Sequence, residues 1–345
     1  MAIGPFSEEK ILRTLDQIEQ TRSIDRLSTC SEYFLAVMAQ ARVVRGIPGN
    51  APAYVARMRD KWQMKQTAQT YGLACLPGFL ATDPPSEAPC WGQYDGYVLK
   101  PRAESGAKGV RVVSTWPALL AAITELDDPT SWLVEPYFDA TVLHIDAIVS
   151  GGDLDLQVSR YCRPCNKTGG AVPLSSVTVS DPLINALSSN FIEQVIRAWG
   201  IANDVIHCEA FWDDSELTLC ETAGRPGGAG VPEVFRLTRG ADIRHAKTLL
   251  DFGLDPGIAR STPAAPHGGW TVIYSPFDGP GKVHDEQLSG HATRRVLGLT
   301  DPYVGGLAGV GIATYAFAEG NPKRVLELIQ TYEENVRVSP LDGCR

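Results

Sequence analysis

Two glutamates in this 345-residue chain are spaced to bind a metal ion. Glu209 and Glu221 lie in apolar segments that flank a polar turn at 213–215, a pattern typical of a β-hairpin. Carboxylates on adjacent strands can bridge a hard cation, and that cation can also contact phosphate oxygens. Two facing glutamates repel one another when no cation is present, so the pattern favours a metal site over a pair of solvated side chains.

Basic residues near glycines add the groups that phosphate chemistry needs. Arg225 follows Glu221 by four positions in a glycine-containing loop, where a guanidinium can hold a carboxylate or a phosphoryl group in transfer. Lys100 ends a predicted strand and precedes a loop that contains Gly106 and Gly109. The lysine charge and the backbone N–H groups of this loop can surround a polyphosphate. The order strand–loop–strand differs from that of a P-loop, and a hairpin with an exposed basic loop fits it equally well.

The segment Leu133–Phe138 can contribute to a nucleotide site through its backbone. A strand that ends in a polar residue and continues in extended conformation can hydrogen-bond the edge of an adenine. Taken by itself, the segment fits an ordinary strand end better.

Hydrophobic spacing predicts the elements that position these residues. Strands are predicted near 24–27, 97–100, 110–113, 132–134, 142–149, 154–159, 206–212, 217–221 and 269–274. Helices are predicted after Ser7, over 31–46, from Pro52 to about Tyr71, over 116–126 and 182–199, and from Pro322. The order of strand and helices before residue 72 indicates a small α/β unit.

Composition limits the classes of function. With 31 Lys and Arg against 40 Asp and Glu, the formal net charge is −9, which argues against nucleic acid as the main partner. Hydrophobic residues make up 44% of the chain, typical of a globular protein, and no run of 18 apolar residues predicts a membrane span. Residues 1–8 lack a basic stretch followed by an apolar core, so we expect no secretion signal and a cytoplasmic location.

Cys162 and Cys165 lack a second pair at zinc-binding spacing and are expected to be reduced loop cysteines.

In their order and spacing, these segments resemble the ATP-grasp superfamily over about residues 55–345. The segment Arg59–Lys65, with the sequence RDKWQMK, resembles the entry helix of that family, and Gly72–Phe79 resembles the strand that follows. The segment Glu221–Gly228 resembles the carboxylate–amine ligases, especially the L-amino-acid (dipeptide) ligases and carnosine-synthase-like enzymes. The resemblance implies an α/β ATP-grasp fold with three parts. These are a short N-terminal α/β domain at 1–72, a lid subdomain at 73–135 and a large antiparallel-sheet C-terminal catalytic domain at 136–345.

The resemblance also implies a role for each matched residue. It assigns the ATP phosphates to Lys61 and Lys100, under a loop that includes Ser105, Gly106 and Gly109, and the adenine pocket to Glu135, Tyr137 and Phe138. It assigns two Mg²⁺ ions, with Mn²⁺ as an alternative, to Glu209 and Glu221. Arg225 is expected to stabilise an acyl phosphate and its transition state, so that Arg225 and Lys100 form the catalytic set.

The activity implied is ATP-dependent joining of a small-molecule carboxylate, such as an amino acid, to an amine through an acyl phosphate. Positioning and charge neutralisation carry most of the work in such phosphoryl transfer. Transfer to a thiol, on a carrier protein or coenzyme A, uses the same intermediate and is one alternative. A nucleotide-binding protein without catalysis is another.

The sequence departs from the family pattern at three points. Val142 stands where many relatives carry an acid that binds ribose, and Ala223 stands where many carry an asparagine after the second metal glutamate. Only about 30 residues precede the helix at 31–46, so we expect a homodimer or a partner subunit to complete the short first domain.

The alternation of the strands that hold His144 and His207 favours structural roles for both histidines.

Overall fold

The computed structural model describes residues 7–92, 94–168, 172–257, 263–277, 281–288, 293–296 and 311–340. The helices are α1 (Glu8–Glu19), α2 (Leu35–Arg45), α3 (Pro52–Arg57), α4 (Lys61–Thr70), α5 (Trp116–Thr124), α6 (Pro182–Trp199), α7 (Val231–Arg239), α8 (Ile243–Asp251) and α9 (Pro322–Asn335), and a 3₁₀ turn, Glu32–Phe34, precedes α2. The strands are β1 (Phe79–Leu80), β2 (Tyr97–Pro101), β3 (Arg111–Val113), β4 (Trp132–Pro136), β5 (Thr141–Ser150), β6 (Asp153–Tyr161), β7 (Leu174–Thr178), β8 (Asn203–Trp212), β9 (Leu217–Ala223), β10 (His267–Tyr274), β11 (Gly281–His284), β12 (Thr293–Val296), β13 (Gly311–Glu319) and β14 (Arg337–Pro340).

Antiparallel sheets organise the described residues. Eight strands form the large sheet in the order β12-β13-β10-β7-β6-β5-β8-β9, and every neighbouring pair is antiparallel. A smaller sheet has the order β1-β4-β2-β3, and β11 pairs with β14. The predicted hairpin that carries the two glutamates is therefore present as β8 and β9 at one edge of the large sheet.

One face of the large sheet is covered by α6. This helix begins after Asp181, whose carboxylate accepts hydrogen bonds from two N–H groups of the first turn, and ends at Gly200, which has φ +64°. Its apolar residues pack against those of β5 and β8 in one buried cluster, which includes Leu143, Ile145, Phe191, Ile192, Val195, Trp199, Ile206 and Cys208. No described helix is long and apolar enough to cross a membrane.

The N-terminal part differs from the prediction, because its described residues before Phe79 form helices and no strand. The strand predicted at 24–27 is wrong. Ile24 and Leu27 instead pack between helices, in a cluster with Ile11, Leu15, Val37, Ala41 and Ile47. The strand expected over Gly72–Phe79 is reduced to β1, because Ala74 crosses to the large sheet and accepts a hydrogen bond from the N–H of Leu219 at 2.8 Å.

The single helix predicted from Pro52 to Tyr71 is two helices. The chain leaves α3 at Met58, and Asp60 starts α4 by accepting hydrogen bonds from the N–H groups of Trp62 and Gln63. Asp60 also binds the Arg102 guanidinium at the end of β2, with the Nε at 3.0 Å. The break places Lys61 in the first turn of α4, next to the small sheet.

A buried cluster of charges fastens the N-terminal helices to the large sheet. The Lys247 ammonium lies 2.7 Å from Asp204 and 2.9 Å from Asp251, and it is 2% exposed. Asp204 also accepts hydrogen bonds from Asn50 at 2.8 Å and from the Tyr54 hydroxyl at 2.9 Å. Burial alone would lower the pKa of Lys247, but the two carboxylates raise it. Lys247 therefore stays charged and paired with both carboxylates.

Replacing Lys247 by Ala is expected to destabilise the fold by about 3–5 kcal/mol, because it leaves buried Asp204 without a cation and Asp251 with only Arg42, at 3.5 Å. The free energy of unfolding in urea measures the loss. Arg13→Ala is the control, since it removes an ion pair with Glu9 whose side chains are 71% and 70% exposed. The control is expected to change stability by less than about 1 kcal/mol. Equal effects of the two substitutions would contradict a structural role for the buried cluster.

Candidate active site

A cavity of about 930 Å³ lies between the small sheet and the edge of the large sheet that holds β8 and β9. Nearly every residue predicted from the sequence lines it: Lys61, Lys100, Ser105, Gly106, Glu135, Tyr137, Phe138, Glu209, Glu221 and Arg225. Gly109 does not line the cavity. It has φ +75°, and a Cβ atom there would come within 3.0 Å of Pro101, so Gly109 shapes the turn before β3.

Glu209 and Glu221 are direct partners in the register of β8 and β9, so their side chains leave the same face of the hairpin. The Tyr161 hydroxyl donates a hydrogen bond to Glu209 at 2.7 Å. The Lys61 ammonium lies 3.0 Å from Glu221. Burial alone would raise the pKa of Glu221, but the Lys61 ammonium lowers it to about 2. Glu221 therefore offers an ionised carboxylate to the cavity at neutral pH, with a cation already beside it.

A second buried charge group joins α4 to the small sheet. The Glu135 carboxylate lies between Lys100 of β2 and Lys65 of α4, with the Lys65 ammonium at 2.7 Å. Burial alone would raise the pKa of Glu135, but the two lysines lower it. The side chain of Glu135 is thus occupied by these lysines. Sequence reasoning missed Lys65, although its spacing of four residues from Lys61 places both on one face of the helix.

Arg225 is held by an acid from the N-terminal part. Its Nε donates to Glu32 in the 3₁₀ turn, and an Nη donates to the carbonyl of Pro226 at 2.7 Å. Arg59 approaches the other oxygen of Glu32 at 2.8 Å. Burial alone would raise the pKa of Glu32, but the two guanidinium groups lower it. Sequence reasoning missed Glu32, because nothing in its local sequence marks a partner 193 residues away.

Two buried histidines stand behind the glutamate pair. Asp146 accepts hydrogen bonds from Nδ1 of His207 at 2.8 Å and from Nδ1 of His144 at 2.6 Å. His207 Nε2 lies 3.5 Å from Glu209. Burial alone would lower the pKa of His207, but the Asp146 carboxylate raises it to about 10. His207 is therefore charged and attracts the Glu209 carboxylate. Gly227 fits against this group, since a Cβ atom there would come within 2.8 Å of both Asp146 and His207.

The loop between β2 and β3 covers one side of the cavity. Gly106 has φ +63° and Ala107 has φ 57°, so successive N–H groups turn toward one side, as in anion-binding loops. The Lys61 ammonium donates to the carbonyl of Glu104 at 2.6 Å and holds the loop near α4. The Ser105 hydroxyl lies 3.5 Å from the Tyr33 hydroxyl.

Aromatic side chains line the end of the cavity beyond β4. The Phe138 ring packs against Tyr94 and Phe211, with ring centroids 5.2 Å and 5.4 Å away. The N–H of Tyr137 donates to the carbonyl of Gly96 at 3.0 Å, which fixes the extended chain after β4. Val142 also lines this end and adds apolar surface. Flat apolar walls suit a planar base.

No protein-family model and no curated protein matches this sequence. The structure is similar to that of an L-amino acid ligase from Bacillus licheniformis, with TM-score 0.74 at 15% identity over 97% of this chain and 86% of that chain. It is also similar to N5-carboxyaminoimidazole ribonucleotide synthetase from Thermotoga maritima, with TM-score 0.70 at 12% identity over 98% and 87% of the two chains.

A third similar structure is the biotin carboxylase domain of the 2-oxoglutarate carboxylase from Hydrogenobacter thermophilus, which holds MgADP, ADP and bicarbonate. The TM-score is 0.70 at 14% identity, over 96% of this chain and 78% of that chain. These likenesses define the fold: the chain has the α/β ATP-grasp fold. The resemblance drawn from the sequence motifs is confirmed at the level of the fold.

The charge on His207 predicts a pH dependence of stability. Its pKa is raised from an ordinary value of 6.5 to about 10, so its contribution is complete below pH 6.5 and is lost as the pH rises through 10. The difference in unfolding free energy between the parent and His207→Gln, measured without divalent metal, is expected to shrink over that range. His245→Gln, at an exposed position on α8, is the control and is expected to show little difference at any pH. A difference for His207→Gln that is constant from pH 6 to 10 would contradict the assignment.

Proposed function

We propose that this protein is an ATP-dependent ligase that activates a carboxylate as an acyl phosphate and joins it to an amine. The observation that carries the proposal is one cavity in which two facing glutamates, two lysines and an arginine meet. The three similar structures support it, because each is named as a ligase, a synthetase or a carboxylase. An amino acid is the proposed carboxylate, since the L-amino acid ligase has the highest TM-score of the three.

The nucleotide is proposed to bind between the two sheets. Lys61 and Lys100 hold the phosphates beneath the loop of Ser105 and Gly106, and both ammonium groups already line that space. Tyr137 and Phe138 line the adenine end, with Glu135 contributing its backbone. We further propose the functional division of the chain at residues 1–72, 73–135 and 136–345, with the nucleotide held between the last two parts.

The glutamate pair fits divalent cations. Both side chains present carboxylate oxygens, the donors that Mg²⁺ prefers, and the Lys61 ammonium at 3.0 Å from Glu221 shows that a positive charge is accommodated there. Glu209 and Glu221 would hold the ions, as the MgADP of the similar carboxylase domain supports. Bound Mg²⁺ supplies neutralisation of the phosphate charge during transfer.

The proposed reaction has two steps. A carboxylate oxygen of the substrate attacks the γ-phosphorus, the bond from that phosphorus to the ADP oxygen breaks, and an acyl phosphate and ADP result. The amine nitrogen then attacks the acyl carbon, the carbon–oxygen bond to phosphate breaks, and the amine loses a proton as the amide forms. Arg225 contributes its guanidinium at the charge that develops on the acyl phosphate, and Glu32 keeps it aimed at the cavity.

Phosphate release from ATP and Mg²⁺, measured with single and paired amino acids, tests the proposal. Release that requires both a carboxylate and an amine is the expected result. Release that requires a thiol instead of an amine would move the acceptor to a carrier protein or coenzyme A. Binding of ATP with no release under any pairing would contradict the ligase and favour a nucleotide-binding protein without catalysis.

Replacing Glu221 by Gln is expected to lower turnover at least about 100-fold, on the scale of losing one preorganised charge-stabilising group. The thermal midpoint is expected to change little, because the amide oxygen can still accept a hydrogen bond from Lys61. Steady-state phosphate release and thermal unfolding measure the two effects. Glu216→Gln is the control, since Glu216 is exposed in the turn of the same hairpin. A normal rate for Glu221→Gln would remove Glu221 from the site.

Replacing Arg225 by Ala is expected to lower kcat about 10²–10³-fold, as when one oxyanion donor is removed. Arg225→Lys is expected to recover only part of the loss, because an ammonium cannot reproduce the two-sided contact with Glu32 and a substrate oxygen. Single-turnover ADP formation measures both variants. An unchanged kcat in Arg225→Ala would exclude this guanidinium from the reaction.

A further inference from the structure

The cavity continues well past the proposed reacting centre. Glu209 lies on β8, and the lining residues continue across the large sheet to Tyr161 on β6, Leu174 on β7 and Trp270 on β10. From β8 to β10 the sheet has four strand spacings, or about 19 Å at about 4.8 Å each. A substrate that reaches from the glutamates into this region is therefore longer than a carboxylate and a short side chain.

The far end of the cavity is apolar and aromatic. We call the group formed by Tyr161, Leu174, Trp270, Val272 and Tyr274 the far pocket, and all five line the cavity. Neighbouring side chains along β10 point to opposite faces of the sheet. Trp270, Val272 and Tyr274 therefore share one face, and Ile273 packs on the other. None of the five is charged at neutral pH, and four of them are less than 6% exposed. The Trp270 and Tyr161 rings meet edge to face at 6.2 Å.

Charged side chains surround the near end of the cavity. Arg225, Glu32 and His207 line the cavity there, close to the glutamate pair. The loop that begins at Arg225 runs to Gly230, whose backbone packs directly against the Trp270 side chain and leaves no space for a Cβ atom. The Tyr161 hydroxyl, 2.7 Å from Glu209, marks the boundary between the two environments. The cavity is therefore polar where the carboxylate would react and apolar beyond it.

We propose that the activated carboxylic acid carries a large apolar or aromatic side chain, which occupies the far pocket. The inference rests on the proposed ligase function and adds the substrate class to it. A carboxylate held at the near end directs its side chain past Tyr161 toward Leu174 and Trp270. Burial of such a group releases water from apolar surface, whereas a charged side chain would lose its hydration and meet no opposite charge among the five residues of the far pocket.

Hydroxylamine replaces the amine in the test, so that the carboxylate alone varies. Hydroxamate formation is measured with ATP and Mg²⁺ for phenylalanine, leucine and methionine, and for glycine, alanine and aspartate. The expected result is a kcat/KM at least tenfold higher for the large apolar acids, since one methylene in a fitted pocket changes the rate about 10–200-fold. Activity that favours glycine, alanine or aspartate would overturn the substrate class and leave the ligase standing. No hydroxamate from any acid would contradict the ligase as well.

Substitutions that fill the far pocket test whether the side chain of the substrate binds there. Leu174→Trp is expected to lower kcat/KM for phenylalanine at least tenfold while the value for alanine is retained, a change of selectivity that general loss of structure does not produce. Leu183→Trp is the matched control, because Leu183 is 65% exposed at the start of α6 and lies outside the cavity. Val272→Leu adds a single methylene to the same pocket and is expected to shift selectivity in the same direction. Unchanged selectivity in folded Leu174→Trp and Val272→Leu would place the side chain of the substrate elsewhere.

Discussion

The arrangement of the cavity depends on the pairing of buried charges that come from distant parts of the chain. Lys61 joins the start of α4 to Glu221 on the large sheet, and Lys65 joins the same helix to Glu135 on the small sheet. Arg225 joins the loop after β9 to Glu32 in the N-terminal part. A charge at buried Lys65 or Glu135 would cost several kcal/mol without its partner, and together the three pairs bring three parts of the chain into one geometry. Because α4 carries lysines to both sheets, it sets the distance between them.

The same pairing would prepare the cavity for the nucleotide of the proposed function. Lys61 and Lys100 already lie beside carboxylates in the cavity, so little reorganisation would be needed when they exchange a carboxylate for phosphate oxygens. His207 and Tyr161 hold Glu209 from behind and from the side. The glutamate thus keeps its place while its free oxygen faces the cavity. Tyr161 lies between the glutamate pair and the far pocket, which we propose to serve activation and recognition of the acid respectively.

The sequence predicts the parts of the site that sit in continuous motifs. Lys61, Lys100, Glu209, Glu221 and Arg225 occupy segments whose local pattern indicates their elements, and the structure brings all five to one cavity. The hairpin of β8 and β9 and the helix α6 follow from alternation and capping residues in the same way.

Residues whose partners are far away in the sequence could not be found. Glu32 gains its place from its contact with Arg225, and Asp146 from its contact with His207 on the neighbouring strand β8. The segment at 24–27 has the composition of a strand, but helices α1 and α2 offer its apolar residues a better surface, so tertiary packing overrode local propensity. The far pocket was also invisible, because β6, β7 and β10 become neighbours only in the folded sheet.

In the proposed reaction a carboxylate attacks the γ-phosphorus of ATP, so one oxygen atom of the acid must end in the released phosphate. A carboxylic acid that supports turnover is labelled with ¹⁸O in its carboxyl group, and the products are analysed by mass spectrometry or by ³¹P NMR. The account predicts that each released phosphate carries one ¹⁸O atom from the acid, because the carbon–oxygen bond breaks when the amine attacks. Label found in AMP, or in neither AMP nor phosphate, would contradict an acyl phosphate at this site.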